Sequence, residues 1–276
     1  MLDATNSLKT RVKNGETLTG IFVSELRTAN YGSLLNAAGC DFAVFDLEHC
    51  PFTMADLSNM LPGFHGFRVQ PMVRVPAIRR EFFQPLLDLG ISGIMVPMVE
   101  SPEDVRTAFS LIKYLPQGKR GIHFSTPHTS FQCVDRDDYV HLADNSILLV
   151  IQIETVKGLD NLEAILAEPG IDVVFVGNAD LAASIGVPND LSESLLNNAF
   201  LHILHAAKAH GIVGGGNFLD PKFAVRFYND GLRFITIDSE TSTLIAGLRH
   251  NMESVRAALS IGDETSSAAI DATNNC

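Results

Sequence analysis

Eight apolar, β-branched runs recur along this chain, at residues 18–25, 41–48, 70–76, 91–99, 147–154, 171–178, 212–218 and 233–239. A strand buried on both faces of a parallel sheet reads as a continuous hydrophobic run of this kind. Four of the runs end in charge. DFAVFDLEH closes on Glu48 and His49, QPMVRVP carries Arg74 near its end, SILLVIQIET reaches Glu154, and IDVVFVGNAD reaches Asp180. Charge at the end of a buried strand is costly unless that end opens into a site. In an α/β barrel the C-terminal strand ends lie together on one face, where active sites are built. The shared polarity predicts one pocket containing two acids, a histidine and an arginine.

Segments of helical period separate the runs. SPEDVRTAFSLIKYL opens with Ser101 as N-cap, Pro102 at the first helical position and acids in the first turn. SESLLNNAFLHILHAAKAHG is long, amphipathic and closed by Gly211, and PKFAVRFYNDG starts with Pro and ends with Gly. Strands alternating with such helices mean βα units and a parallel sheet. Eight units in about 250 residues is the size of a (β/α)8 TIM barrel, so residues 1–262 are expected to form a single α/β domain of that type. A doubly wound sheet is the main alternative, weakened by the lack of GxGxxG after the first run. Residues 116–145 break the rhythm. They are polar and too long for a plain connector, and are expected to loop over the barrel mouth. The tail, 263–276, is small and polar without periodicity and is expected to be disordered.

The chain has 276 residues, 46% of them hydrophobic, ample for one sizeable core. Its formal net charge of −12 disfavours nucleic acid or an anionic membrane as partner. No apolar stretch reaches the roughly 18 residues needed to span a bilayer, and MLDATNSLKTRVKNGE lacks an apolar signal core. Cys40, Cys50, Cys133 and Cys276 have no CxxC spacing, which reads as reduced thiols in a cytoplasmic protein.

Glu154 and Asp180 end adjacent runs, so a barrel would bring their carboxylates close. Two bare carboxylates repel, and a divalent cation removes the conflict. With no Cys or His beside them the donors are hard oxygens, suiting Mg²⁺ or a similar octahedral ion acting as a Lewis acid. The bland reading is that each acid caps the following helix. His49 is placed to move a proton at neutral pH. Arg74 needs an anion, either a structural acid or a substrate carboxylate or enolate oxygen. Asp88, in LLDLG, is an ordinary cap or a residue that orients His49. Free amides where GNADLA enters a helix suit a carboxylate.

In order and spacing, FDLEH, MVRVP, LLDLG, IMVPMVES, KRG, QIET and GNADLA resemble the HpcH/HpaI aldolases, over residues 18 to 250. The resemblance implies a (β/α)8 barrel and a metal-dependent, class II pyruvate aldolase of the 4-hydroxy-2-oxoheptanedioate or 2-dehydro-3-deoxyglucarate type. Such an enzyme is a lyase that cleaves a 4-hydroxy-2-oxo acid reversibly to pyruvate and an aldehyde. It implies Glu154 and Asp180 as metal ligands, for Mg²⁺ or else Mn²⁺ or Co²⁺. It implies amides at Ala179 and Asp180 for the pyruvate carboxylate, Arg74 beside the enolate oxygen, and His49 as acid/base. Asp46 and Asp88 match acids that bond the histidine or line the pocket, and Gln152 a glutamine near the metal. It also implies a hexamer, a trimer of dimers with exchanged C-terminal helices. Two departures stand out: Asn178 where the family often has proline, and GIHFSTPHTSF after KRG where it is small and Gly-rich. The family has a citrate-forming branch that condenses oxaloacetate with an acyl-CoA in siderophore pathways, and this is the second reading. A non-catalytic keto-acid-binding protein is the third.

Overall fold

The structure is a computed structural model and describes residues 6–273. Its strands are β1 (Leu18–Val23), β2 (Phe42–Asp46), β3 (Gln70–Arg74), β4 (Gly93–Val96), β5 (Leu148–Ile153), β6 (Val173–Val176), β7 (Val213–Asn217) and β8 (Leu232–Ser239). Each falls within or beside one of the eight apolar runs. They close into a barrel in sequence order, every neighbouring pair parallel and β8 returning to β1. The helices are α1 (Leu8–Lys13), α2 (Tyr31–Ala37), α3 (Met54–Met60), α4 (Arg80–Leu89), α5 (Pro102–Ile112) and α6 (Arg136–Ser146), then α7 (Val156–Asp160), α8 (Leu162–Leu166), α9 (Asn178–Ile185), α10 (Ser194–Ala209), α11 (Pro221–Phe227) and α12 (Glu240–Thr273). This is the expected (β/α)8 barrel. The cap at Ser101 is also as expected: its hydroxyl accepts from Asp104 N–H while the Asp104 side chain reaches back, a capping box.

Two apolar layers explain why the strands read as unbroken runs. Side chains alternate between the faces of a strand. Residues of one parity, among them Leu18, Phe42, Val44, Met72, Leu148, Val150, Val173, Phe175 and Phe234, fill the barrel interior. The other parity, including Ala43, Phe45, Val73, Leu149, Ile151 and Val174, packs under the helices. Leu8 and Val12 of α1 plug the N-terminal end of the interior. Gly20 makes room for the inner layer: a Cβ there would sit 2.5 Å from the Phe42 ring, which stacks on Phe234 at 4.0 Å.

The inner parity then dictates the site. Continued towards the C-terminal ends, 42–44 leads to Asp46, 72 to Arg74, 148–150 to Gln152 and Glu154, and 234 to Thr236 and Asp238. The barrel is apolar where it is plugged and polar where it opens.

The segment 116–145 is not where the sequence reading put it. It joins the C-terminus of α5 to the start of β5 and so lies away from the mouth, along the outside of the barrel. Phe124 and Tyr139 join Tyr114 and Ala143 in a small core of their own. Gly121 N–H donates to the Gln84 side chain at 2.7 Å, and His128 Nδ1 lies 3.3 Å from the Asp88 carbonyl oxygen, so the segment is fastened to α4. Its polar residues serve these contacts rather than a lid.

The helix α12 continues to Thr273, past the boundary expected at residue 262. No proline interrupts this stretch, and its Ala, Ser, Asp and Glu residues are compatible with a helix. Residues 274–276, and with them Cys276, lie outside the described residues. Cys40, Cys50 and Cys133 are free thiols. Among the described residues no helix is long and apolar enough to cross a membrane.

Candidate active site

A cavity of about 560 Å³ opens at the C-terminal ends of the strands. Asp46, His49, Arg74, Gln152, Glu154, Ala179 and Asp180 all line it. Sequence reasoning therefore brought seven of its eight site residues to one place. The eighth, Asp88, is in the last turn of α4 and does not line the cavity. Its carboxylate accepts from Gln84 Nε2 at 2.8 Å and pairs with Arg120 at 3.3 Å. Within one chain it neither touches nor orients His49; it ties α4 to the 116–145 segment.

Glu154 follows the last residue of β5 and is 2% exposed. Its carboxylate accepts from Met98 N–H at 2.6 Å and from Gln152 Nε2 at 3.2 Å. Met98 holds a left-handed backbone, φ 53°, just beyond β4. Such a conformation is unfavourable for a side-chain-bearing residue and tends to occur where function requires it. Here it accompanies an N–H bonded to the carboxylate. Gly177 is needed on the other side, where a Cβ would overlap the Glu154 carboxylate. Burial drives the Glu154 carboxyl up; the Met98 bond opposes this, and the charges of Glu48 and Asp180 add to the rise. The result is a carboxyl titrating at about 7.

Asp180 lies in the first turn of α9, exposed to the cavity beside Ala179. No side chain caps the helix at Gly177, so the first-turn amides are available to an anion. Asn178 Nδ2 donates to the Asn217 carbonyl at 2.7 Å, which ties the start of α9 to the end of β7.

Arg74 has found its anion inside the chain. Nε and Nη2 donate to the two oxygens of Asp46 at 2.9 and 2.6 Å, and Nη1 lies 3.3 Å from Glu48. The Phe22 ring lies 5.0 Å from the guanidinium carbon. Asp46 takes two of the five N–H donors, which fixes the plane of the fork and leaves donors for a substrate oxygen. Burial alone would raise the Asp46 carboxyl, but the Arg74 bonds and charge, with the N–H groups of Glu48 and His49, hold it below the usual range. Asp46 thus positions Arg74 and receives the His49 backbone N–H, at 3.4 Å, rather than the imidazole. The His49 side chain is 60% exposed at the rim, with Nε2 3.6 Å from Glu48.

The floor therefore gathers four carboxylates, Asp46, Glu48, Glu154 and Asp180, around one arginine. Asp46 and Glu48 share Arg74; among the described residues Glu154 and Asp180 form no ion pair, although the Arg74 charge also reaches Glu154. Beside them Gln152 Oε1 is buried without a hydrogen-bond partner among the described residues. No group of three or more His, Cys, Asp or Glu side chains is gathered for a metal among the described residues, so any ion there would need other oxygen ligands. The two free carboxylates and the unpartnered amide oxygen fit a hard divalent cation completed by water or substrate.

Met98 and Glu240 were missed from sequence, and Glu48, visible there as a charged strand end, was given no role. Glu240 follows β8, buried, and its carboxylate accepts from Ser24, Glu25 and Leu26 N–H, which fastens the loop after β1. The rule used for Glu154, an acid at a strand end, would have found it. The Met98 backbone has no such signal.

The Glu154 carboxyl titrates near 7, above its ordinary 4.5. The folded state binds that proton more tightly than the unfolded one, so metal-free stability falls as pH rises from 4.5 through 7. Glu154→Gln keeps an acceptor for Met98 and, if the Gln152 amide turns over, a partner for Gln152. In metal-free protein at about pH 8 it should be more stable than the parent by on the order of 1–3 kcal/mol, with the two converging near pH 4.5. Denaturant melts at the two pH values check this; a variant less stable at the higher pH contradicts it.

Residues 19–246 match the family model described as HpcH/HpaI aldolase/citrate lyase. A hydroxypyruvate/pyruvate aldolase of Paraburkholderia phytofirmans is 32% identical over 92% of this chain and 98% of its own. A 2-keto-3-deoxy-L-rhamnonate aldolase of Salmonella gallinarum is 30% identical over 86% of this chain and 88% of its own. The crystal structure of an HpcH/HpaI aldolase from Desulfitobacterium hafniense superposes with a TM-score of 0.87, at 25% identity, covering 91% of this chain and 96% of that one.

Proposed function

The chain belongs to the HpcH/HpaI aldolase/citrate lyase family, and from that premise we propose that it is a metal-dependent carbon–carbon lyase that cleaves a 4-hydroxy-2-oxo acid to pyruvate and an aldehyde. The observation that carries the metal is the pair Glu154 and Asp180, two carboxylates in one cavity that form no ion pair among the described residues. A divalent ion held by that pair, Mg²⁺ or else Mn²⁺ or Co²⁺, supplies Lewis acidity to the 2-oxo group of the substrate.

The chain's own residues do the rest. The first-turn amides of α9 at Ala179 and Asp180 receive the substrate carboxylate, and Gln152 fixes Glu154. His49, at the rim, accepts the proton of the C4 hydroxyl, directly or through water. The C3–C4 bond then breaks, its electrons pass to the 2-oxo oxygen, and the aldehyde leaves. Arg74, held flat by Asp46, faces the negative charge that develops on that oxygen. A proton from water then adds at C3 to complete pyruvate, and His49 returns the proton it took to solvent. Asp88 enters this scheme only if a second subunit carries it to the rim.

The citrate-forming reading fits less well. Coenzyme A carries several phosphate charges, and among the described residues Arg74 is the only lysine or arginine lining the cavity.

Three outcomes test the reading. EDTA should abolish turnover and solvent exchange of pyruvate methyl protons, and added Mg²⁺, Mn²⁺ or Co²⁺ should restore both; full activity in stripped protein removes the metal. Arg74→Ala should lower cleavage and exchange alike, because both pass through the enolate, whereas His49→Ala should lower cleavage by roughly 10²–10⁴-fold and exchange much less. Equal loss of exchange in both variants would mean that His49 also serves C3.

The oligomer is read from α12. Leu244, Ile245, Leu248, Met252 and Val255 are each at least half exposed along it. A stripe of this size calls for a cover, and a second copy of the chain supplies one. Light scattering at micromolar concentration should give a hexamer, or at least a dimer; a monomer refutes this.

A further inference from the structure

We propose that the aldehyde partner is uncharged, an aliphatic or hydroxylated chain without carboxylate or phosphate, and that Leu219 and Phe223 are the residues that receive its tail. This rests on the pyruvate-forming reading above and concerns the outer half of the same cavity.

That outer half is built by the segment after α9 and by the turn from β7 into α11. Asp190, Leu191, Phe218, Leu219, Asp220 and Phe223 line it, with Asp238 from the end of β8. Leu191 and Phe218 are buried and form a fixed apolar wall. Leu219 is 77% exposed, a large apolar side chain left in water at the entrance. Phe223, in the first turn of α11, is partly covered. A tail lying across these two removes apolar surface from water on both sides.

The charges point the same way. Asp180, Asp190, Asp220 and Asp238 line the cavity, and among the described residues no lysine or arginine does so apart from Arg74. Arg74 is at the floor, paired with Asp46 and Glu48. A divalent ion would be outnumbered by Glu154, Asp180 and the pyruvate carboxylate, two positive charges against three negative, leaving no net positive charge for a second anion. The rim acids are fixed in place. Asp190 accepts from Ser192 N–H at 2.8 Å, and Asp220 caps α11 by accepting from Lys222 N–H at 2.9 Å. The Ser192 bonds also hold the Asp190 carboxyl below its ordinary value, so it is ionised at neutral pH. A cleft lined by one sign of charge concentrates its field and repels ligands of that sign. An aldehyde ending in a carboxylate would meet that field with no lysine or arginine in the lining, among the described residues, free to accept it.

The test compares butanal with 4-oxobutanoate in aldol addition to pyruvate, since the two differ by a methyl against a carboxylate at the far end. In the Mg²⁺-loaded protein kcat/KM should favour butanal by about tenfold or more at low salt. Raising ionic strength to about 0.5 M should narrow the ratio, because screening acts on exposed charge. Asp190→Asn combined with Asp220→Asn keeps both backbone acceptors and should narrow it by roughly threefold or more. Leu219→Ala should lower kcat/KM for butanal more than for acetaldehyde, which has no tail to bury. Exchange of pyruvate methyl protons needs no aldehyde and should be unchanged in these variants, showing that fold and floor are intact. A ratio near one, a preference for 4-oxobutanoate, or a ratio indifferent to both salt and the paired substitution overturns the proposal while the pyruvate reading stands. Absence of proton exchange in the parent overturns the pyruvate reading, and this proposal with it.

Discussion

The structure turns on a buried carboxylate kept among like charges. Glu154 is enclosed at the end of β5, held by one backbone N–H and one side-chain amide, with Glu48 and Asp180 near enough to resist its ionisation. Left alone, such a group takes up a proton near neutral pH. The fold maintains it at a cost in backbone strain at Met98 and with a glycine at 177 where any side chain would collide. Natural folds accept local cost of this kind at functional sites and recover it elsewhere. Here the recovery is the large double-layered core.

The arrangement separates two electrostatic tasks. Asp46 and Glu48 are neutralised by Arg74, and the geometry of that group fixes a planar donor fork over the cavity floor. Among the described residues Glu154 and Asp180 form no ion pair. A site with both features can hold a hard cation and, in the same cavity, meet negative charge developing on a substrate oxygen. That pairing is what forming an enolate from a 2-oxo acid requires. The rim, apolar and acidic at once, then bears on the second substrate rather than on the first.

Much of this was legible in the sequence because two periodicities run together. An eight-fold recurrence of apolar runs gave the barrel, and the two-residue alternation within a strand carried Asp46, Arg74, Gln152 and Glu154 to the inner face of its open end. Asp88 stands outside its own chain's cavity, which strand parity could not foretell because proximity across helices is not encoded in it; its partner Arg120 arrives from a segment whose path no pattern reveals. The same segment was set over the mouth because polarity and length were taken for a lid, whereas its position after a helix and before a strand puts it along the outside of the barrel. Met98 was invisible because the strain lies in its backbone and not in its side chain. The acids at 190 and 220 carry no strand-end signal: Asp190 closes a turn ahead of α10 and Asp220 caps α11, and what they can do for a ligand comes from the cavity they face.

The central claim is that Glu154 is kept partly protonated until a divalent cation binds it. Calorimetric titration of metal-free protein with Mg²⁺ in buffers of different ionisation enthalpy measures the protons released on binding. Metal ligands must be deprotonated to bind, so with a carboxyl titrating near 7 the account predicts close to one proton released per ion at about pH 6, and almost none at about pH 8.5. Binding at the lower pH without proton release, or equally tight binding by Glu154→Gln, would contradict it.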